Sequence, residues 1–178
     1  MESGGPKSLA GCCGLYCGLC SRYQSKAASR CAGCGLGEQH SWCSIWNCCV
    51  KKHGFETCAE CCEVLTCPIF LRRRVAEWIP AADNLRQIQE VGMEAWLKQQ
   101  EERQSLLEEL LQNYNEGRSM SLYCKFCSRM SRDSIEEATQ RAEELTAEKT
   151  DGCDTKSRAK ILRAIMRGMA LSADVNLD

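Results

Sequence analysis

The chain has 178 residues, enough for one domain of usual size or two small ones, and sixteen of them are cysteine. Its 23 basic and 24 acidic side chains leave a formal charge of −1, which excludes the basic footprint of a nucleic-acid binder or of a protein drawn to an anionic membrane. No stretch offers the roughly 18 unbroken apolar residues of a membrane span, and the start MESGGPKSLAG has no apolar run of signal-peptide length, so a cytoplasmic location is expected.

After a Gly- and Ser-rich lead-in over residues 1–11, thirteen of the sixteen cysteines crowd between Cys12 and Cys67. In a reducing compartment such density at CxxC spacing points to metal or redox chemistry, not to a disulfide frame. Cys17 and Cys20 form one CxxC, and Cys31 and Cys34 the next. A tight turn in CxxC aims both sulfurs the same way, about 2.3 Å from one tetrahedral zinc ion. Gly14, Gly18, Gly33 and Gly35 stand where such turns need positive φ or close backbone approach. Cys43 and Cys48 make a wider third pair, and Cys58 and Cys61 a fourth, with Cys67 beyond.

Four pairs supply two four-sulfur sites, joined in sequence, interleaved or nested. The ten-residue gap between the first two pairs favours sequential joining, as in a zinc ribbon, at the lowest loop-closure entropy. Two zinc ions on eight thiolates would move the formal charge from −1 to about −5, because each ligand loses its proton. Cys13 and Cys67 exceed the count of eight. With Cys17 and Cys20, Cys13 spells CxxxCxxC, and Cys67 precedes Pro68; both are also features of iron–sulfur ligation. An iron–sulfur cluster is therefore the alternative cofactor, acting in electron transfer or redox sensing.

Cys12, Cys49 and Cys62 each adjoin another cysteine. Neighbouring side chains point apart in most backbones, so these three are expected to be buried thiols acting as small hydrophobes, with capture of a soft metal by vicinal thiols as the sharper alternative. His40 and His53 lie between pairs and are expected at the surface, although imidazole also suits zinc. Tyr16, Tyr23, Trp42, Trp46 and Phe55 are interleaved with the ligands; without an excess of Lys or Arg they read as walls around metal, not as a base-stacking face.

Helices follow. Pro68 opens a short one through IFLRRRVAEW that Pro80 closes, and Arg72, Arg73 and Arg74 there would offset thiolate charge. A second carries Leu85 and Ile88 and stops near Gly92; the third and longest runs from Met93 to Tyr114, with Trp96, Leu97, Leu107, Leu110, Leu111 and Tyr114 on one face. Cys124 and Cys127 make a CxxC that Cys153 nearly completes as a third site, but a helical reading of SMSLYCKFCSRM simply buries them. Two amphipathic helices close the chain. One spans Asp133 to Glu148 with Ile135, Ala138, Ala142 and Leu145, the other Thr155 to Ala170 with Leu162, Ile165, Met166 and Met169, and Asp133 and Asp154 serve as N-caps.

The runs CGLYCGLC, RCAGCG, WCSIWNC and FETCAEC, with NLRQIQEVGMEAWLKQQ, GRSMSLYC and KILRAIMRGMA behind them, resemble a prokaryotic cysteine-rich domain family of unassigned function regarded as zinc-binding. The resemblance covers nearly the whole chain. It implies Cys13, Cys17, Cys20, Cys31, Cys34, Cys43, Cys48, Cys58, Cys61 and Cys67 as metal ligands, leaves Cys12, Cys49 and Cys62 particular to this sequence, and weakens a third site because Cys127 replaces a small residue. It implies no reaction.

The expectation is a mostly α protein with a small irregular metal-bound module over 12–67, built of zinc-ribbon or knuckle-like turns and packed on a helical region over 68–178. Its expected role is non-catalytic: it holds two zinc ions in thiolate sites and offers a surface to a protein partner. No Gly-rich phosphate loop and no Ser, His and Asp pattern points to catalysis.

Overall fold

The computed structural model describes residues 9–36, 41–72, 80–147 and 154–177. It is mostly helical, with no strand among the described residues and one isolated bridge, Ala10 to Tyr16. Two compact units are present, Met1–Glu101 and Glu102–Asp178. No helix among the described residues is long and apolar enough to cross a membrane.

The first unit is built from turns and short helices. A 3-10 turn at Cys17–Leu19 leads into α1 (Ser21–Gln24); α2 (Ser44–Trp46) runs on into a wide π-helical turn at Asn47–Lys52. Two more 3-10 turns, Cys58–Glu60 and Val64–Thr66, precede α3 (Pro68–Arg72) and α4 (Ala81–Val91). The strand pair of a zinc ribbon is thus missing among the described residues, and turns carry the cysteines. Of the expected helix after Pro68, residues 73–79 lie outside the described residues, Arg73 and Arg74 included; so does His40.

The cysteine turns of this unit sit on α4 through close contacts. Gly14 has φ +83°, and a Cβ there would stand 2.7 Å from the Ala81 carbonyl oxygen and 2.9 Å from Leu85 Cγ, so only glycine fits. The buried Asn84 amide donates to the Gly14 carbonyl at 2.8 Å, and the Gln89 amide to the Ala59 carbonyl at 2.7 Å. Gly92, at φ +84°, ends α4 and its carbonyl accepts from Trp96 N–H at the start of the next helix. Trp96 is fully buried and meets Tyr16 edge-on with ring centres 6.0 Å apart.

Helix α5 (Met93–Tyr114) spans the boundary between the units, and Trp96, Leu107, Leu110 and Tyr114 are buried along it while Leu97 and Leu111 are half-buried. Gln100 is buried too, on a stripe read as apolar. The second unit continues with α6 (Met120–Arg129), α7 (Arg132–Ala147) and α8 (Thr155–Ser172). Its core gathers Tyr123, Phe126, Ile135, Ala138, Ala142, Ala159, Leu162 and Met166, with Ile165 and Met169 half-buried. Leu145 is 47% exposed and leaves the expected stripe, because the buried positions of α7 end at Ala142.

Asp154 caps α8 by accepting from Ser157 N–H at 2.9 Å. Asp133 does not cap α7; it lies within the first turn, and Ser131 takes that role by accepting from Ser134 N–H at 3.2 Å. The Arg163 guanidinium pairs with Glu116 and donates to Ser119 at 3.0 Å, tying α8 to the segment before α6. The chain end folds back: Asp174 adopts φ 55°, Val175 N–H donates to the Ala170 carbonyl at 2.8 Å, and the ammonium of Lys125 donates to the Leu177 carbonyl at 3.0 Å.

Candidate metal centre

Backbone turns decide which sulfurs meet. Gly11 N–H donates to the Leu15 carbonyl at 2.7 Å and Gly14 N–H to the Gly11 carbonyl at 3.0 Å, so Cys12 and Cys13 sit on one tight loop. The Cys12 carbonyl, facing outward from that loop, accepts from Cys58 N–H at 2.8 Å and from the Thr57 hydroxyl at 3.4 Å. Thr57 in turn starts a capping box with Glu60 and opens the 3-10 turn of Cys58–Glu60. Two of the CxxC pairs take the same form, the second cysteine N–H donating to the first carbonyl, Cys20 to Cys17 at 2.9 Å and Cys61 to Cys58 at 3.0 Å.

The third strap is the π-helical turn. Gly54, at φ +69°, reverses the chain so that Phe55 N–H donates to the Cys49 carbonyl at 3.0 Å, with the Cys49 thiol 3.7 Å from the Phe55 carbonyl oxygen. The result is that the sulfurs of Cys12, Cys49 and Cys58 all lie within 4.8 Å of one another. Thiolates sharing one ion at about 2.3 Å stand roughly 4 Å apart, so this spacing is close to that of a common ligand set. Hydrogen bonds from the Cys12 and Cys58 thiols draw the Cys49 pKa down to about 4, with His53 adding to the effect. Cys12 is raised, first by its hydrogen bonds with Cys49 and Cys58 and then by burial. For Cys58 the Cys12 hydrogen bond acts downward, but the one with Cys49 and burial outweigh it and the net is a rise.

Beside these sulfurs lies a cavity of about 30 Å³, lined by Cys48, Cys49, Cys58, Cys61 and Cys67 together with apolar side chains that include Ile45, Val64 and Phe70. That volume is enough for about one small occupant. Phe55 lines it as well, and the exposed His53 stacks on Phe55 with ring centres 5.5 Å apart and planes at 17°.

A second gathering involves the first two CxxC pairs. Gly33, at φ +91°, turns the chain so that Cys34 reaches Cys17; their thiols are hydrogen-bonded, which raises Cys17, while Cys34 N–H points at the Cys17 sulfur and works the other way. Burial pushes Cys13 up to about 12 against the N–H of Leu15, and the nearby charges of Cys34 and Cys43 add to the rise. Cys20 acts on Cys17 in the same manner. Cys31 is half-buried, its N–H on the Arg22 carbonyl at 3.1 Å. Tyr23 is within reach of the Gly33 turn.

Of the expected ligands, Cys34 and Cys43 are near enough to act on Cys13, and Cys20 and Cys34 on Cys17, while Cys48, Cys58, Cys61 and Cys67 line one cavity and Cys13 acts on Cys58 as well. Of the three thiols expected to be buried, Cys49 is buried, Cys12 is half-buried and Cys62 is exposed, and the sulfurs of Cys12 and Cys49 lie beside that of Cys58. Cys48 and Cys49 lie in a helical turn, where successive side chains point in different directions. Of the expected aromatic walls, Tyr16 is buried and Phe55 lines the cavity, but Trp42 is 88% exposed. Cys124 and Cys127 are buried in α6, where burial raises Cys127, and Cys153 lies outside the described residues. No described cysteine is in a disulfide.

Compared with protein-family models, with curated proteins and with solved structures, the chain finds no match in any of the three.

Proposed function

We propose that the first unit is a non-catalytic metal-holding module that binds zinc through cysteine thiolates and offers a surface to a protein partner. One observation carries this reading: cysteines from separate turns of the chain come together, Cys48, Cys58, Cys61 and Cys67 around one cavity and Cys34 against Cys17. A thiol-rich pocket without an ion would bury polarizable groups for little gain, whereas a structural zinc site contributes roughly 10–16 kcal/mol to folding. The donor set also fits, since thiolate is the preferred ligand of structural zinc.

On this reading one ion takes its ligands from Cys13, Cys17, Cys20, Cys31, Cys34 and Cys43, and another from Cys48, Cys58, Cys61 and Cys67. The backbone N–H groups of Leu15 and Cys34 aimed at sulfur support the first set, because such donors stabilise a thiolate. The knuckle-like form of the turns at Cys17 and Cys58 supports both. Trp42, 88% exposed on the same unit, favours an interaction role.

Purification without oxygen, a visible spectrum, and counts of zinc, iron and acid-labile sulfide test the proposal. About two zinc per chain in colourless protein is the expected result, since zinc is d¹⁰. Brown protein with equal iron and sulfide would overturn it in favour of an iron–sulfur cluster.

A further inference from the structure

We propose that Cys12, Cys49 and Cys58 form a three-thiol site for a soft trivalent ion of the arsenic(III) class. The inference rests on the reading that this unit binds metal through sulfur, and it leaves Cys48, Cys61 and Cys67 as the thiols of the second zinc ion.

Three observations carry it. First, the three sulfurs lie within 4.8 Å of one another, and each residue is held by its own backbone contact: Cys12 and Cys58 by the 2.8 Å bond between them, Cys49 by its 3.0 Å bond from Phe55. Second, no fourth Cys, His, Asp or Glu among the described residues joins the group. Third, the group borders a cavity whose apolar walls are Ile45, Phe55, Val64 and Phe70 and which Cys48, Cys61, Cys67 and His53 also line. Three thiolates leave a net charge of −2 around monovalent copper and −1 around zinc, but none around a trivalent ion. Burying a net charge beside apolar walls is costly, so charge balance selects the trivalent occupant. Softness selects sulfur as its ligand.

The binding step needs no oxidant. Arsenous acid carries three hydroxyl groups on As(III); each As–O bond is replaced by an As–S bond, each thiol gives its proton to the departing hydroxide, and three waters leave. Arsenic stays at the +3 state and the product is neutral. Cys12 is only half-buried, which leaves an approach to the site.

The test uses the full chain as purified without oxygen, titrated with sodium arsenite and then desalted, with arsenic and zinc counted and the arsenic X-ray absorption spectrum recorded. The expected result is one arsenic per chain bound by three sulfurs with zinc content unchanged, lost in Cys12→Ser and in Cys49→Ser but kept in Cys62→Ser. Arsenic coordinated by two sulfurs, zinc displaced mole for mole, or undiminished binding by both serine variants would overturn the site. Where a serine variant fails to fold by circular dichroism, the coordination number in the unaltered protein decides. Zinc without arsenic binding would sink this inference alone, and three-sulfur arsenic in protein that never held zinc would sink the zinc reading alone.

Discussion

Replacing Gly14 by alanine tests how the cysteine turns are seated on α4. The new Cβ would lie 2.7 Å from the Ala81 carbonyl oxygen and 2.9 Å from Leu85 Cγ, in a residue already at φ +83°. The left-handed conformation costs an alanine about 1–2 kcal/mol, and overpacking against a fixed helix about 1–3 kcal/mol more. If the loop retreats to relieve the clash, it lengthens the buried Asn84 bond to the Gly14 carbonyl, worth about 1 kcal/mol. The total is roughly 2–5 kcal/mol, a fall of at least about 10 °C in the midpoint for a unit of this size. Gly54→Ala is the control, since Gly54 has φ +69° with nothing within 4 Å of its missing Cβ, and so bears the conformational cost alone. Tryptophan fluorescence is the assay, because Trp42, Trp46, Trp78 and Trp96 all belong to the first unit. Equal losses in the two variants would refute the close seating of Gly14 on α4.

Trp96→Ala should cost about 3–5 kcal/mol and lower the retained zinc, because it removes the fully buried ring that meets Tyr16; unchanged metal content and midpoint would dismiss the docking face. Glu116→Gln should destabilise the second unit at neutral pH. Burial raises the Glu116 pKa, but Ser119, its own backbone and Arg163 outweigh it and hold it below the usual value. A depressed carboxylate contributes its stability above the unfolded pKa of about 4.3 and loses it as pH falls through the folded value. The gap between wild type and E116Q midpoints should therefore close on acidification, and a gap that widens would exclude the ion pair as its cause. Brief alkylation mapped by mass spectrometry should label the exposed Cys62 first and reach the buried Cys124 and Cys127 only on unfolding. Early labelling of Cys127 would contradict its burial.

The helical half could be read from residue pattern because helix formation is local. Leu107, Leu110 and Tyr114 recur at helical spacing, and Gly92 stops α4 where its backbone takes positive φ. The misreadings there are positional: Ser131 outcompetes Asp133 as cap because the helix begins earlier, and Gln100 is buried on a stripe that spacing alone called apolar. The cysteine stretch was legible as a sulfur-rich unit but not as a set of partners. Partnership depends on bonds such as Cys58 N–H to the Cys12 carbonyl, which join residues with no periodic relation. In the π-helical turn at Asn47–Lys52, Cys48 and Cys49 both line the cavity, and Cys49 also lies beside Cys12 and Cys58.

Chelation gives the sharpest separation of the two ways this chain gains order. The second unit has a core of its own, with Tyr123, Phe126, Ile135, Leu162 and Met166 all fully buried within α6, α7 and α8. In the first unit the stretch from Gly11 to Cys67 holds few large buried side chains, Tyr16, Leu19, Ile45 and Val64 being the main ones, against thirteen thiols between Cys12 and Cys67. On the zinc reading, ligation adds roughly 10–16 kcal/mol per structural ion to that small apolar burial. A strong chelator should therefore shift the tryptophan emission of the first unit to that of solvated indole while the helical circular dichroism of α6, α7 and α8 persists, and zinc should restore the emission. Emission unmoved by complete zinc removal would mean that the turns hold without metal. The stability of the cysteine stretch would then have to come from the backbone hydrogen bonds at Cys12, Cys49 and Cys58 themselves.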